Sequence, residues 1–526
     1  MKTNMENNTG MYLLKKGKKG ILRLIFSRIG LMVVMLLIQF GVLLSIFHWF
    51  EGTLPYFWGG TIVFSVGIFF HMLNENMDPT VKITWLIVIL VLPVFGSLFY
   101  VYVQSDWGHR LVKARLNQIY DHTKEEIPQD PVVYEKLKEE NPGAAALTHY
   151  MKRGGNFPVY QNTEVTFFPL GENKWEELLI QLKKAEKFIF LEYFIIEEGL
   201  MWGTILEILA HKVAEGVDVR VMYDGTCEFS TLSHDYPKRM EKLGIKCKMF
   251  SPITPFLSTH YNYRDHRKIL VIDGKVAFNG GVNLADEYIN HIEKHGHWKD
   301  TAVMLQGEAV KSFTLMFLQM WNLNEKEEIY TPYLEQEPAD HMVETGFLMP
   351  YGDDPMDHDK VGERVYMDIL NRACKYVSIM SPYLILDGEL ETALKFAAER
   401  GVEVTLILPG IPDKKAPYAL AKNHYKSLLE SGIHIFEYEP GFVHAKMFLA
   451  DDREAVVGTI NLDYRSLYHH FECATYMYGT SCIGEIKEDF ANTLKQCRRV
   501  TKETAAKEKW YIKLSGRFFK AIAPLM

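Results

Sequence analysis

Cysteine is scarce in this chain: six residues are scattered over 526, with no C-x-x-C pair and no cysteine/histidine cluster at zinc-ligand spacing. A chain this large with so few cysteines is not expected to be held together by disulfides. An excess of basic charge is also missing, because 66 Asp and Glu outnumber 58 Lys and Arg, for a net charge of −8. We therefore expect no nucleic-acid partner, which would demand a basic surface.

Long charge-free runs are confined to the first hundred or so residues, and the rest of the chain has the composition of an ordinary α/β protein. One run covers residues 29–50, enough to cross a hydrocarbon core of roughly 30 Å, and two more cover 56–73 and 83–103. Aromatic residues gather at the run ends, where amphipathic rings prefer the membrane interface. We predict N-terminal transmembrane helices in residues 29–103, preceded by a basic leader, residues 1–28.

The number of crossings stays open. Lysines and arginines stand before the first run and again after the third, and this favours a cytoplasmic location for both flanks. Two cytoplasmic flanks require an even number of crossings, whereas three apolar runs are present. The third run contains the helix-disturbing Pro93 and the second is short and rich in glycine, so either is a candidate for the run that does not cross.

Beyond about residue 150, apolar strand-like runs alternate with helical patterns, as is typical of an α/β domain with a parallel sheet. The alternation occurs twice, which predicts two duplicated α/β lobes around a shared cleft. The matching strand, helix and strand are residues 188–196, 201–214 and 216–224 in the first copy, and 377–385, 390–399 and 401–409 in the second. The predicted divisions are a linker, 104–150, two lobes, 151–335 and 336–500, and an amphipathic tail, 501–526.

Each lobe contains the same short motif. Its members are His266, Lys268, Asp273, Gly280 and Asn283 in the first copy, and His444, Lys446, Asp451, Gly458 and Asn461 in the second. Counted from each histidine, the lysine falls at +2, the aspartate at +7, the glycine at +14 and the asparagine at +17 in both copies. A single H-x-K would mean little, whereas two copies that agree at four offsets predict a catalytic centre with two half-sites.

The two aspartates of the motif are interpreted as structural. Side chains alternate between faces in a strand, so the histidine and lysine of each copy are expected to point together and the aspartate to point away. Asp273-Gly274 and Asp451-Asp452 are also turn-forming pairs that precede another apolar run. The glycine further along each copy would permit a close backbone approach across the resulting hairpin.

Two imidazoles, two ammonium groups and two carboxamides around one point suit a phosphodiester substrate. Lys268 and Lys446, together with the amide groups of Asn283 and Asn461, are expected to bind the phosphoryl oxygens and stabilise their negative charge. One neutral histidine can attack phosphorus while the other, protonated, gives its proton to the leaving alcohol. This chemistry requires neither a metal nor a cofactor.

A nucleophilic imidazole also needs a partner on its second nitrogen, to fix the tautomer and stabilise the cation. Two carboxylates occupy corresponding strand-like places in the repeats: Asp300, at +34 from His266, and Glu472, at +28 from His444. They are the candidates for orienting the histidines. A solvent-exposed carboxylate remains the alternative for each.

The duplicated motif resembles that of the phospholipase D superfamily, and several stretches are similar to bacterial cardiolipin synthases in particular. These stretches are residues 192–195, 216–220, 223–225, 266–269, 280–283 and 458–466, and residues 78–100 resemble the second transmembrane helix of that family and its approach. The resemblance covers roughly residues 56–526. It implies two packed α/β lobes, a phosphatidyl-histidine intermediate on His266, and histidines oriented by Asp300 and Glu472.

The resemblance further implies condensation of two phosphatidylglycerols into cardiolipin with release of glycerol. The expected setting is a multi-pass protein embedded in the bacterial cell membrane, with catalytic lobes on the cytoplasmic face; the oligomeric state stays open. The additional run, residues 29–50, departs from the two-helix pattern of the family. A hydrolytic phospholipase D, another phosphatidyltransferase and a non-catalytic membrane scaffold remain alternatives. The tail, residues 510–522, either lies on an anionic bilayer or packs against its own domain.

Overall fold

The computed structural model describes residues 54–75, 77–104, 107–251, 263–336, 346–357 and 359–523. By their internal contacts these residues form two units, a helical one with residues up to 112 and from 520, and a larger one with residues 113–519. The predicted leader, residues 1–28, and the first apolar run, residues 29–50, lie outside the described residues.

The helical unit contains α1 (Leu54–Asn74), α2 (Pro79–Val91) and α3 (Pro93–Gln104). Asp78 caps the start of α2 by accepting the backbone N–H groups of Thr80 and Val81. A small apolar core joins the helices and consists of Ile68, Met72, Trp85, Ile89 and Tyr100.

Among the residues that the structure describes, no helix is both long and apolar enough to cross a membrane. The transmembrane helices predicted at 56–73 and 83–103 are therefore not found there. Residues 56–73 lie within α1, and residues 83–103 are divided between α2 and α3. The division falls at Leu92, which has φ of −132° and ψ of 71° and so lies outside the α region that a following proline, Pro93, disfavours.

The stretch predicted as a linker, residues 104–150, is largely helical. It contains α4 (Trp107–Thr123), α5 (Pro131–Glu140) and most of α6 (Pro142–Gly155). Apolar side chains of α5 and α6, such as Leu137 and Met151, belong to the same buried core as the second lobe. The amphipathic periodicity of these helices allows them to pack.

The first lobe is a mixed sheet whose strand order is β1-β9-β7-β6-β2-β3-β4. In chain order the strands of this stretch are β1 (Thr163–Phe168), β2 (Phe188–Tyr193), β3 (Asp218–Asp224), β4 (Lys246–Phe250), β5 (Arg264–Asp265), β6 (Lys268–Ile272), β7 (Val276–Gly280), β8 (His297–Lys299) and β9 (Ala302–Gly307). The short strands β5 and β8 pair outside this sheet.

The second lobe repeats the order with its own strands, as β10-β17-β16-β15-β11-β12-β13-β18. These strands are β10 (Phe347–Asp353), β11 (Tyr376–Met380), β12 (Glu403–Pro409), β13 (His434–Tyr438), β14 (Gly441–Val443), β15 (Met447–Ala450), β16 (Glu454–Gly458), β17 (His470–Tyr478) and β18 (Cys497–Val500). The run β9-β7-β6-β2-β3-β4 thus corresponds to β17-β16-β15-β11-β12-β13, and the predicted duplication is visible in the topology.

Each sheet is only partly parallel, which corrects the parallel-sheet expectation. β2, β3 and β4 are parallel neighbours, as are β11, β12 and β13, but the motif strands β6, β7, β15 and β16 pair antiparallel. The reason lies in the short turns at Asp273 and Asp451, because a three-residue connection is too short for the crossover that parallel strands require.

Helices flank both sheets. After α6 the described helices are α7 (Gly171–Lys184), α8 (Leu200–Ala214), α9 (Cys227–Ser230), α10 (Tyr236–Glu241), α11 (Val310–Trp321), α12 (Thr331–Leu334), α13 (Val361–Arg372), α14 (Gly388–Glu399), α15 (Lys415–Glu430), α16 (Tyr464–Tyr468), α17 (Ile483–Leu494), α18 (Lys502–Ala506) and α19 (Trp510–Ile522). Short 3-10 turns cover Asp286–Ile289 and Asn322–Asn324. Gly216 and Gly401 follow α8 and α14 with φ of +93° and +95°, as expected for glycine after a helix.

Candidate active site

The two motif aspartates lie at the tips of matching hairpins. Asp273 has φ of +54° between β6 and β7, and Asp451 has φ of +53° between β15 and β16. The Asp273 carboxylate accepts three backbone N–H groups, from residues 186 to 188, at 2.7–2.8 Å. The Asp451 carboxylate accepts those of residues 374 to 376 at 2.7–2.9 Å. Both aspartates therefore tie a turn to the chain that enters the neighbouring strand, and neither contacts a motif histidine.

The backbone of each motif histidine is held by the other lobe. β5 pairs in parallel with β17, and the His266 N–H donates to the carbonyl oxygen of Phe471 at 2.9 Å. In the same way β14 pairs in parallel with β8, and the His444 N–H donates to the carbonyl oxygen of Lys299 at 2.7 Å. Each half-site is therefore built from both lobes.

The imidazole side chains follow the same crossed arrangement. Nδ1 of His266 lies 2.9 Å from both carboxylate oxygens of Glu472, and Nδ1 of His444 lies 2.6 Å from Oδ2 of Asp300. Both carboxylates are fully buried. The structure brings Asp300 and Glu472 to the histidines, but each reaches the histidine of the opposite lobe. With its Nδ1 engaged, each imidazole has Nε2 left for chemistry.

Close packing behind the carboxylates depends on glycine in one half-site. A Cβ on Gly281 would lie 2.1 Å from Oδ1 of Asp300, so no larger residue fits there. Gly280 has φ of +149°, and a Cβ there would lie 2.4 Å from the carbonyl oxygen of Thr301. In the second copy Thr459 stands where the first has Gly281, and its hydroxyl donates to Glu472.

The motif lysines are buried beside their histidines. Lys268 and Lys446 are each 1% exposed, and each Nζ donates to the carbonyl oxygen of the histidine two residues earlier. Nζ of Lys446 also lies 2.8 Å from Nδ1 of His444. Burial lowers the pKa of Lys268 to about 8 and that of Lys446 to about 7.

Burial also keeps both histidines neutral. It is the main cause that lowers the pKa of His444 to about 4, followed by the charge of Lys446. Burial and the charge of Lys268 lower the pKa of His266 well below its ordinary value, with smaller contributions from the second half-site. The charges of each half-site therefore act on the histidine of the other, as expected for one shared centre.

The two carboxylates respond differently to burial. Burial raises the pKa of Glu472 well above the ordinary value, despite the opposing charge of Lys268. Burial acts in the same direction on Asp300, but the charges of His444 and Lys446 outweigh it, so the pKa of Asp300 lies below the ordinary value. Asp300 is thus ionised over a wider pH range than Glu472.

The motif asparagines have different surroundings. The Asn283 amide donates to the hydroxyl of Tyr288 at 2.8 Å, and its Oδ1 accepts the Ile195 N–H at 3.1 Å. Oδ1 of Asn461 is buried and has no hydrogen-bond partner among the residues that the structure describes. One amide hydrogen of Asn283 is therefore committed within the protein, which leaves it a single donor for a phosphoryl oxygen.

Aromatic residues that sequence analysis missed surround the histidines. The ring of Phe194 lies 4.8 Å from that of His266, and the ring of His470 lies 5.2 Å from it. Tyr288 and Trp298 lie 5.3 and 5.4 Å from His444. Position in the repeat is a signal that could have found two of them, because His470 stands two residues before Glu472 and Trp298 two residues before Asp300.

One group of side chains has metal-ligand spacing among the described residues. Donor atoms of His266, His470 and Glu472 all lie within 4.8 Å of one another. Nδ1 of His470 is buried and lies 3.5 Å from Oε1 of Glu472. The same Glu472 oxygens contact Nδ1 of His266, so the group is already organised as a histidine–carboxylate contact.

The two lobes share one topology, and each supplies the carboxylate that holds the other lobe's motif histidine. This paired histidine–lysine centre is that of a phospholipase D-like protein. A family model described as a cardiolipin synthase, PLD-like domain, matches residues 178–321 and 366–494, and one described as phospholipase D-nuclease N-terminal matches residues 61–103. The chain belongs to the cardiolipin synthase family of the phospholipase D superfamily.

Relatives extend the similarity along most of the chain. A cardiolipin synthase of Geobacillus thermodenitrificans is 31% identical over 95% of this chain and 99% of its own length. One of Halalkalibacterium halodurans is 30% identical over 95% of this chain and 100% of its own. An uncharacterized protein of Streptococcus mutans is 61% identical over 88% of this chain and 100% of its own length.

A solved structure shares the fold. The phosphatidylserine synthase of Haemophilus influenzae superposes with a TM-score of 0.57 over 73% of this chain and 100% of its own, at 14% sequence identity. This similarity supports the two-lobe architecture.

Proposed function

We propose that the chain condenses two phosphatidylglycerol molecules into cardiolipin and releases glycerol. The observation that carries the proposal is the composite centre, in which both histidines have Nδ1 held by a buried carboxylate and a buried lysine beside them. The relatives that bear the name cardiolipin synthase over their full length supply the substrate class.

The contrast between the carboxylates supports His266 as the nucleophile. Burial raises the pKa of Glu472 and lowers that of His266, so Glu472 favours a second proton on His266 less than Asp300 does on His444, and Nε2 of His266 keeps a free electron pair. Asp300 stays ionised next to His444, which favours protonation of that imidazole once a negative phosphodiester is bound. His444 is therefore assigned as the general acid.

In the first step Nε2 of His266 attacks the phosphorus of one phosphatidylglycerol. The P–N bond forms while the bond from phosphorus to the glycerol headgroup breaks, and the leaving oxygen takes a proton from Nε2 of His444. The products of this step are free glycerol and a phosphatidyl group on His266. Lys268 and Lys446 stabilise the charge on the non-bridging oxygens.

In the second step a headgroup hydroxyl of another phosphatidylglycerol attacks the phosphatidyl-histidine. His444, now neutral, takes the hydroxyl proton, the new P–O bond forms and the P–N bond breaks. Cardiolipin leaves and both imidazoles return to their starting state. The protonation states alternate without a metal or a cofactor, so we expect turnover to persist in the presence of a chelator.

The setting we propose is the bacterial cell membrane, with the protein embedded in it and the lobes on its cytoplasmic face. Apolar side chains on α1 to α3 that are largely exposed support this, among them Val63, Phe70, Leu90 and Leu98. The proposed divisions of the chain are a membrane segment, residues 29–103, and two catalytic lobes, residues 151–335 and 336–500.

The test is product analysis with purified full-length protein. Phosphatidylglycerol with a labelled acyl chain is incubated with the protein in mixed micelles, with and without chelator, and the lipid products are identified by mass spectrometry. We expect cardiolipin and free glycerol in equal amounts. Phosphatidic acid as the main product would indicate hydrolysis instead, and no turnover of any phospholipid would contradict the enzymatic proposal.

A further inference from the structure

The C-terminal helix α19 has two apolar faces, of which the described residues cover only one. Gly516 lies on the covered face, where its backbone approaches α15 so closely that a Cβ would lie 2.4 Å from the carbonyl oxygen of Ala419. Ile512 and Phe519 on the same side are half-buried. This contact fixes how the helix is rotated about its axis.

The opposite face of α19 carries an exposed apolar stripe. Trp510, Leu514 and Phe518 follow one another at four-residue spacing and are 74%, 58% and 63% exposed. Tyr511 beside them is 51% exposed. Large apolar side chains aligned in this way on a fixed helix mark a binding surface, because single exposed residues are ordinary but a continuous stripe is not.

The charged residues of α19 indicate what binds to the exposed stripe. Residues 509–523 contain four basic residues and no acidic one, although the chain as a whole has a net charge of −8. Lys513 and Arg517, both exposed, border the stripe along one side of the helix. An apolar stripe with a tryptophan and a basic border is the pattern of a helix that lies in the headgroup region of an anionic bilayer.

We propose that α19 docks on the surface of an anionic phospholipid bilayer, with Trp510, Leu514 and Phe518 inserted to the acyl boundary and Lys513 and Arg517 among the headgroups. Because Gly516 holds α19 against α15, the docked helix would anchor the second lobe itself to the lipid surface. This docking does not depend on catalysis and goes beyond the proposed transferase activity.

The experiment places a fluorophore on the stripe. Full-length protein with Leu514→Cys, in a background with Cys374→Ser and Cys497→Ser, is labelled with an environment-sensitive dye and added to phosphatidylglycerol/phosphatidylethanolamine vesicles. We expect a blue-shifted emission that brominated acyl chains quench and aqueous iodide does not. The matched control is Ile180→Cys on α7, an exposed aliphatic position 47% accessible, where iodide should quench and brominated lipid should not.

A second variant tests how much the basic residues of α19 contribute to membrane binding. Lys513→Glu with Arg517→Glu should weaken insertion of the labelled helix into phosphatidylglycerol vesicles, by about fivefold for each basic residue removed, and have little effect with phosphatidylcholine alone. Iodide quenching at residue 514 in every vesicle would overturn the proposal. Shielding from both quenchers would also overturn it, since another protein segment or a second copy would then cover the stripe. Neither readout measures turnover, so these outcomes are separate from failure of the transferase assay.

Discussion

The two half-sites match around their histidines and differ around their carboxylates. His266 and His444 have the same backbone pairing, the same lysine offset and a carboxylate on Nδ1. Behind the carboxylates, Gly281 leaves room for Asp300, whereas Thr459 donates its hydroxyl to Glu472. A duplicated motif thus provides two equivalent imidazoles, and residues outside the motif give them different protonation behaviour.

The largest expected effect comes from removing either imidazole. His266→Ala and His444→Ala should each abolish cardiolipin formation, with the fold preserved in circular dichroism, because each histidine has a step that no other group performs. A substrate with a good leaving group separates the roles, since its departure needs no acid. His444→Ala should then still accumulate a phosphatidyl adduct on His266, whereas His266→Ala should form none, as mass spectrometry of the protein can determine.

An adduct located on His444 would reverse the assignment of roles and leave the reaction class unchanged. Full activity in either alanine variant would contradict the two-histidine mechanism. His434→Ala, at a half-buried histidine at the start of β13, is the control for a substitution of the same kind outside the site.

The next largest loss of activity is expected from substituting the two carboxylates that contact the histidine of the opposite lobe. Glu472→Gln and Asp300→Asn keep the size of the side chain but fail to stabilise the imidazolium. We expect each substitution to lower kcat by up to about 10⁴-fold, as the same change does beside the histidine of a catalytic triad. NMR titration of the histidines distinguishes the partners. Glu472→Gln should move mainly the His266 resonances and Asp300→Asn mainly those of His444. The reverse assignment would contradict the crossed geometry.

Local features of this fold were predictable from sequence and the crossed contacts were not. The hairpins, their turn aspartates and the glycines needed for close approach follow from short-range spacing, and the family assignment was confirmed. His266 and its partner Glu472 are separated by 206 positions in the sequence, and Asp300 and His444 by 144. Nothing in either repeat indicates which lobe supplies the carboxylate. Pairing of β5 with β17 and of β8 with β14 decides this, and two- or three-residue strands leave almost no pattern in a sequence.

The pH dependence sharpens the comparison between the two lysines. Burial lowers the pKa of Lys446 to about 7 and of Lys268 to about 8, so the ammonium forms are lost as pH rises through these values. We expect kcat/KM to fall above about pH 7, because it reports ionisations of the free enzyme. In Lys446→Arg the guanidinium stays charged, and the fall should move to about pH 8. An unchanged profile would exclude Lys446 as its origin.

Substitution of the turn aspartates should affect stability far more than chemistry. Asp273→Ala and Asp451→Ala each leave three backbone N–H groups without their acceptor, which we expect to cost about 1–3 kcal/mol in the free energy of unfolding. Specific activity at low temperature should stay within severalfold of the original. Thermal unfolding is the measurement, with Asp121→Ala, at an exposed position on α4, as the control.

The smallest effect is expected from Thr459, the residue that distinguishes the half-sites. Thr459→Val keeps the shape but removes the hydroxyl that donates to Glu472, and that hydrogen bond is one of the causes that oppose the burial-raised pKa of Glu472. Its loss should raise the pKa of Glu472 further, so the carboxylate stabilises the imidazolium of His266 only at higher pH. We expect kcat to fall less than about tenfold, in line with one neutral hydrogen bond, with the acid limb of its pH profile moved upward.

Thr459→Ser tests whether the hydroxyl, rather than the packing, is responsible. Serine restores the donor and loses only a methyl group, so the acid limb should return to its original position even if stability decreases slightly. An equal loss in both variants, with no movement of the pH profile, would assign Thr459 a packing role. The acid limb should also be unaffected by Thr301→Val, which alters a buried threonine beside Asp300. The hydroxyl of Thr301 has no hydrogen-bond partner within the described part of the chain. If the acid limb of the kcat profile moves in Thr459→Val and in neither of the other two variants, the difference between the two half-sites originates in the hydrogen bond to Glu472.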